Sequence, residues 1–239
     1  MTEGLRGWPA WAGLRGIVYF YRMKKLRDIF AGNRLFFSCF VFVFLVGFIF
    51  LLMEGKAGTF VALNPYHRSA LDTFFIYVTF LGDGVFSVLV IVLFLLMRRW
   101  SQASLVTISF LLSALLANIL KNVFSMPRPK QFFAPGEYAY FINGVTNVGF
   151  ASFPSGHTTS VFALATMLAL LEKNKRTNVV YLLVAVAVGY SRIYLGQHFL
   201  NDVLMGSTIG MLTSLVIYWL LGEKLQSLPI FTRSRRVRG

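Results

Sequence analysis

Three short polar segments interrupt a chain that is otherwise strongly apolar. They are KNVFSMPRP at 121–129, PSGH at 154–157 and SRIYLGQHFLND at 191–202. Lysine and arginine side chains donate hydrogen bonds to phosphate oxygens, and arginine does so with bidentate geometry. The cations of these segments, Lys121, Arg128 and Arg192, therefore predict a site that holds a phosphate group.

The same segments carry two of the three histidines of the chain. His198 and Asp202 are four residues apart, so on a helix they would share a face, and the carboxylate would orient the ring for nucleophilic attack. His157 could then protonate a departing alkoxide. This combination predicts phosphoryl transfer through a phosphohistidine.

Ser155 and Gly156 follow Pro154 at the expected start of a helix, where unpaired backbone N–H groups and the helix dipole favour an anion. Each residue taken singly also has an ordinary structural explanation. A histidine here could cap a helix, and Lys121 or Arg128 could anchor a helix end at the membrane surface. Only the complete set favours catalysis.

Composition determines the class of protein that must position these residues. The 239 residues are 56% hydrophobic and 13% charged, with a mean hydropathy of +0.66, which is typical of an integral membrane protein. The net charge of +14 could indicate nucleic-acid binding, but the basic residues cluster between and outside apolar runs. We interpret them as determinants of membrane orientation, and we expect no nucleic-acid partner.

Apolar segments of about 20 residues predict an all-α polytopic protein with six transmembrane helices. Residues 69–81 are expected to form an additional interfacial helix, which the turn-like GDG at 82–84 separates from the second span. The predicted spans are 35–53, a second span after GDG that ends at Arg98, 103–120, a fourth span from about Ser155 to the EKNKR run, 178–195 and 201–221.

The basic residues orient these spans. With both termini in the cytoplasm, 17 of the 23 lysines and arginines lie on the cytoplasmic side, as membrane topology favours. All three polar segments then emerge on the opposite face. We expect an extracytoplasmic active site, in a bacterial inner membrane with the site facing the periplasm.

The chain divides into a basic N-terminal segment 1–34, a membrane domain 35–222 and a basic tail 223–239. No cleaved signal peptide is expected, and the leader around 15–30 is either an amphipathic surface helix or a loose tail. The long connection 130–152 is either a lid over the site or part of the interfacial belt. The single cysteine, Cys39, is expected to be a buried apolar residue.

The patterns K-x6-RP, PSGH and SR-x5-H-x3-D resemble the three-part signature of the type 2 phosphatidic acid phosphatase superfamily. The resemblance covers residues 121–202 and all three motifs are intact. It implies that Lys121, Arg128, Ser155, Gly156 and Arg192 hold the phosphate. It also implies that His198 is the nucleophile, Asp202 its partner and His157 the general acid, and that no metal or other cofactor is required.

The expected function is hydrolysis of a terminal phosphate from a membrane lipid. Undecaprenyl diphosphate, lipid A and phosphatidylglycerophosphate or phosphatidate all remain possible substrates. One alternative is a phosphotransferase that passes the phosphoryl group from the same histidine to another lipid. A second is a transporter or a non-catalytic protein that binds lipid phosphates. The sequence leaves the oligomeric state open.

Overall fold

The computed structural model describes residues 23–64, 67–172 and 174–228, and all regular elements in these ranges are helical. This confirms the all-α prediction for the described part of the chain. The helices are α1 (23–32), α2 (Arg34–Leu63), α3 (Ser69–Thr79), α4 (Gly84–Leu96), α5 (Trp100–Phe124), α6 (Pro129–Phe132), α7 (Gly156–Leu171), α8 (Thr177–Tyr194) and α9 (Leu200–Ser227), with a 3₁₀ turn at Phe80–Gly82.

Each predicted span corresponds to a helix, but the helices differ in their capacity to cross a membrane. Within the described ranges, α2, the stretch Trp100–Phe132, α8 and α9 are long and apolar enough. The segments Ser69–Gly82 and Gly84–Leu96 qualify only as a pair, with a bend of 54° between them. Since α4 alone has 13 residues and extends about 20 Å, it is too short to cross a hydrocarbon core of about 30 Å. The protein is therefore an integral membrane protein with four or five candidate spans.

The first predicted span, α2, is longer than its apolar run predicts. The prediction ended this span at residue 53, whereas α2 continues to Leu63 through a break at Gly55, which has φ 70°. Glycine adopts this left-handed conformation without steric cost. The break lets the chain turn toward the site, where Asn64 donates hydrogen bonds from its amide to the carbonyls of Ile193 and Tyr194 at 2.6 and 2.7 Å.

The helix that starts at PSGH forms the centre of the bundle. α7 packs against α5, α8 and α9 and is buried along most of its length. It has only 16 residues, so it falls short of a full span by length alone. Because other helices surround α7, none of its faces is turned to solvent. This explains why its sequence shows no polar face.

Close contact between α7 and α9 depends on small residues. A Cβ atom on Gly206 would lie 2.7 Å from the carbonyl oxygen of Ser155, and one on Gly210 would lie 2.7 Å from the backbone nitrogen of Ala163. Small residues at helix crossings allow such close backbone approach in membrane bundles. The Gly206 contact fixes the start of α9 directly against the start of α7, where the polar segments meet.

The division of the chain at residues 34 and 222 remains a prediction. α2 begins at Arg34, but α9 continues without a break to Ser227. Most of the basic leader and the end of the tail lie outside the described residues. Cys39 is only partly buried and packs against the core that α2 forms with α7.

Candidate active site

The three polar segments meet at one end of the bundle. The end of α5, the start of α7, the end of α8 and the start of α9 all lie there. The Nζ atom of Lys121 lies 3.1 Å from the point where a Cβ atom on Gly156 would stand. A larger residue at 156 would therefore press on the lysine ammonium group, which explains the glycine in physical terms.

His198 and Asp202 are adjacent, but not in the way that their spacing predicts. α9 begins at Leu200 with Phe199 as its N-cap, so His198 lies before the helix rather than on one of its faces. The carboxylate of Asp202 in the first turn reaches back instead. Its Oδ2 atom lies 3.4 Å from Nδ1 of His198 and also accepts a hydrogen bond from the backbone N–H of Phe199 at 3.0 Å.

The His198 ring is almost completely inaccessible, with 2% of its surface exposed. Burial lowers its pKa from 6.5 to about 4, although the neighbouring Asp202 carboxylate raises the pKa in part compensation. The imidazole is therefore neutral near pH 7. A neutral ring with Nδ1 turned toward a carboxylate leaves Nε2 as the atom that can attack.

Ser152 completes the surroundings of Asp202, and no sequence motif singles it out. Its hydroxyl donates a hydrogen bond to Oδ2 of Asp202 at 2.5 Å, and its side chain is fully buried. The backbone N–H of Ser155 donates to the carbonyl oxygen of Asp202 at 3.0 Å. The segment around PSGH is thus joined to the residue that orients His198.

His157 lies in the first turn of α7. Its Nε2 atom is 3.8 Å from Oδ2 of Asp83. Asp83 also accepts a hydrogen bond from the backbone N–H of Val85 at 2.9 Å, so it caps α4. The proximity to His157 is an additional feature that the GDG turn alone does not reveal. The carboxylate therefore lies beside the imidazole of the residue expected to act as general acid.

Ser155 is the N-cap of α7. Its Oγ atom accepts hydrogen bonds from the backbone N–H and the hydroxyl of Thr158, at 3.4 and 2.9 Å. As an acceptor in both bonds, Ser155 keeps its own hydroxyl hydrogen available to a ligand. The first N–H groups of α7 face the same end of the bundle, which provides the positive end of a helix dipole.

The three predicted cations lie close enough to repel one another electrostatically. Among the described residues, none of them lies within 4.0 Å of a carboxylate oxygen. Arg128 instead donates from Nη1 to the amide oxygen of Gln197 at 2.8 Å, and Arg192 from Nη1 to the hydroxyl of Thr79 at 2.6 Å. Cations that are held together by neutral groups form a receptor for an anion.

The connection between α5 and α7 packs onto the loop that carries His198. Thr146 donates from its hydroxyl to the carbonyl oxygen of Leu195 at 3.0 Å, and the amide of Gln197 donates to the carbonyl oxygen of Val145. Phe133 belongs to an aromatic cluster with Phe199. These contacts hold the loop that carries His198 in place. This role differs from both roles predicted for the connection, a lid over the site or part of the interfacial belt.

The third histidine is part of a separate cluster. Nδ1 of His67 lies 3.1 Å from Oδ1 of Asp72, which also accepts a hydrogen bond from the hydroxyl of Tyr194 at 2.8 Å. The Tyr194 ring also packs on Phe75, with ring centroids 4.4 Å apart. These contacts give Tyr194 a role in packing α3 against α8.

A cavity of about 140 Å³ adjoins Lys121 and His157 between α4, α5 and α7. Its wall along α5 consists of Phe110, Ala114, Ala117 and Asn118. The cavity is thus polar where it meets the cations and mostly apolar farther along α5. Such a shape is suited to a ligand with an anionic group and an apolar part.

A family model described as the PAP2 superfamily matches residues 102–226. The lipid A 4'-phosphatase of Porphyromonas gingivalis is 30% identical over 177 residues, which cover 70% of this chain and 73% of that protein. The lipid A 1-phosphatase of Rhizobium etli is 36% identical over 172 residues, which cover 70% of this chain and 62% of that protein.

Two solved structures are similar to the fold. The crystal structure of Aquifex aeolicus LpxE superposes with a TM-score of 0.61 and 28% identity, and covers 68% of this chain and 93% of that chain. The PAP2 type phosphatidylglycerolphosphate phosphatase from Bacillus subtilis gives a TM-score of 0.57 and 26% identity, and covers 81% of this chain and 98% of that chain. Fold and similarities together define a membrane-embedded lipid phosphatase. Within that class, the chain belongs to the PAP2 superfamily.

Proposed function

We propose that this phosphatase removes a terminal phosphate from a membrane lipid through a phosphohistidine on His198, on the extracytoplasmic face. The observation that carries the proposal is the buried His198–Asp202 pair, 3.4 Å apart, beside cations that have no carboxylate partner within the described ranges. A neutral, oriented imidazole is a nucleophile, and the cations provide a place for the phosphate that it attacks.

In the first half-reaction, Nε2 of His198 attacks phosphorus. An N–P bond forms as the P–O bond to the lipid breaks, and His157 transfers a proton to the departing lipid oxygen. In the second half-reaction, His157 takes a proton from water. The oxygen of that water attacks phosphorus, the N–P bond breaks, and inorganic phosphate leaves with His198 neutral again.

Lys121, Arg128 and Arg192 stabilise the charge on the transferred phosphoryl group. The N–H groups at the start of α7 and the hydroxyl of Ser155 add donors on the same side. Because the three cations already repel one another, an incoming phosphate relieves an unfavourable arrangement. Part of the binding energy therefore comes from neutralising charges that the fold holds together.

We propose a six-span topology with both termini in the cytoplasm. The charge distribution of the sequence supports it. It requires the bent pair Ser69–Gly82 and Gly84–Leu96 to count as one span, and α7 to count as another although it is short. α7 is surrounded by α5, α8 and α9, so its ends need not reach the full thickness of the lipid. With this topology the ends of α5 and α8 and the starts of α7 and α9 face the periplasm, in a bacterial inner membrane.

Relatives differ in the lipids that their names specify. Besides lipid A phosphatases, they include phosphatidylglycerophosphatase B and undecaprenyl-diphosphatase BcrC, both of Bacillus subtilis. The chemistry at phosphorus is common to these substrates. We therefore assign the reaction to lipid phosphates as a class.

Phosphate release from purified protein in detergent tests the proposal. Lipid A, phosphatidylglycerophosphate, phosphatidate and undecaprenyl diphosphate form the substrate panel. We expect His198→Ala to lower release from the preferred substrate by on the order of 10⁴-fold or more, because the nucleophile is lost. His67→Ala is the matched control, since it removes a histidine that lies in a separate cluster, and should retain activity within an order of magnitude.

Acid quenching during turnover should trap a phosphorylated protein that His198→Ala does not form. Equal phosphate release by wild type and His198→Ala would refute the mechanism. Binding of phosphate lipids without any release would indicate a non-catalytic binder instead.

A further inference from the structure

Two asparagine side chains, Asn118 and Asn122, are exposed on α5, and only Asn118 lines the cavity. The neighbouring aliphatic residues Leu111, Leu115 and Ile119 are exposed as well. Within the described part of the protein, the Asn118 amide makes no hydrogen bond to another residue. An amide without a partner is unfavourable in an apolar environment. A ligand or solvent group must therefore satisfy it.

Asn118 has a defined position relative to the phosphate site. It lines the cavity of about 140 Å³ together with Lys121 and His157. It lies three positions before Lys121 on α5, so it shares a helix face with the lysine and lies about 4.5 Å deeper along the axis. The amide is thus within one helical turn of the cation that holds the phosphate.

The cavity connects the position of Asn118 with that of the leaving group. His157 protonates the departing lipid oxygen in the proposed mechanism, so the carbon bound to that oxygen lies on the His157 side. The cavity that His157 lines is also lined by Asn118 and, farther along α5, by Phe110. The atoms next to the scissile bond would therefore lie in the cavity to which Asn118 contributes its amide.

Lipid phosphates differ in what they carry at this position. Phosphatidate and lipid A have an ester or amide on the carbon next to the one that bears the phosphate. Polyprenyl phosphates have only hydrocarbon there. An amide side chain can donate to a carbonyl and accept from an N–H or hydroxyl, but it gains nothing from hydrocarbon.

We propose that Asn118 is a specificity-determining residue that selects acyl lipid phosphates, with an ester or amide beside the phosphate-bearing carbon, over polyprenyl phosphates. This inference rests on the proposed function, since it places the phosphate by Lys121 and the leaving oxygen by His157. It narrows the substrate class from lipid phosphates in general to acylated lipids built on glycerol or a saccharide.

The test measures kcat/KM for phosphate release from phosphatidate, lipid A and undecaprenyl phosphate in mixed micelles. Asn118→Leu keeps the size of the side chain and suits a lipid-facing helix. We expect it to lower kcat/KM about 3- to 10-fold for the acyl lipids, as for the loss of one hydrogen bond, and to leave undecaprenyl phosphate unchanged. Asn122→Leu, an exposed asparagine of the same helix that does not line the cavity, is the matched control and should change none of the three.

A selective loss with phosphatidate alone would identify a glycerolipid substrate, and a loss with lipid A alone would identify a saccharide lipid. Both would support the proposal. A uniform effect on all three lipids, no effect on any, or a wild-type preference for undecaprenyl phosphate would overturn it while leaving the phosphatase function intact. Release from none of the three by wild type would overturn the inference, and it would contradict the proposed function as well if phosphatidylglycerophosphate and undecaprenyl diphosphate also released no phosphate.

Discussion

The two sides of the candidate site are built differently. The nucleophile side, made of the loop 195–199 with Asp202 and Ser152, is buried, and Asp202 accepts hydrogen bonds there from Ser152 and from the backbone of Phe199. The leaving-group side, made of Lys121, His157 and the cavity along α5, is more open. The protein therefore packs the proposed nucleophile tightly and leaves space beside the proposed acid.

The two sides differ because they have different tasks in the proposed reaction. Attack on phosphorus requires one orientation of an imidazole, and dense packing with internal hydrogen bonds maintains that orientation. A bound lipid must replace whatever occupies the other side, so strong internal bonds there would compete with the substrate. The difference predicts distinct consequences for substitutions on the two sides.

On the leaving-group side, the largest effect is expected from His157. His157→Ala should lower phosphate release from a lipid substrate by about 10²- to 10⁴-fold, the usual contribution of a general acid. With p-nitrophenyl phosphate the loss should be much smaller, because p-nitrophenolate departs without protonation. His198→Ala, used as the comparison, should lose activity with both substrates. Equal losses of activity for His157→Ala with both substrates would show that His157 is not the general acid.

The next prediction concerns the charge of His198, and it is tested by the stability of the fold as a function of pH. Burial lowers its pKa from 6.5 to about 4, so the fold favours the neutral ring. Between pH 6.5 and 4 the unfolded chain binds a proton at His198 that the folded protein does not bind. The free energy of unfolding is therefore highest above pH 6.5 and falls by at most about 3 kcal/mol as the pH falls toward 4. Thermal unfolding in detergent should show a smaller decrease of Tm over this range for His198→Gln than for wild type. The opposite trend would indicate that the folded protein holds a protonated His198 paired with Asp202.

A smaller effect is expected from Ser152, which acts through Asp202 as a positioning residue. Ser152→Ala removes a hydrogen bond to a charged group, worth about 1.5–3 kcal/mol, so kcat should fall about 10- to 100-fold with little change in KM. Ser152→Thr keeps the hydroxyl and should recover most of the activity. Ser125→Ala, on an exposed serine of the same connection, is the control and should have no effect. A change of KM alone would place Ser152 in substrate binding instead.

Much of the nucleophile side could be predicted from sequence, but not its details. The residue types and spacing of the three motifs identified His198 and Asp202 as a pair, because few other functions require such a set. The helical geometry assumed for them was wrong, since Phe199 caps α9 and His198 precedes it. Ser152 and Asp83 were missed as site residues because their roles depend on contacts 50 and 74 residues away along the chain.

The sequence by itself determined that this is a helical membrane protein, and it predicted which residues do the chemistry and that their segments share one face. Hydropathy, charge distribution and motif chemistry are local properties, so a single chain is enough to reveal them. Only the tertiary structure decided that Ser152 supports Asp202, that Asp83 faces His157, and that a cavity joins Lys121 to Asn118. These features arise from close helix packing, where contacts between distant residues are set by geometry that no local pattern encodes.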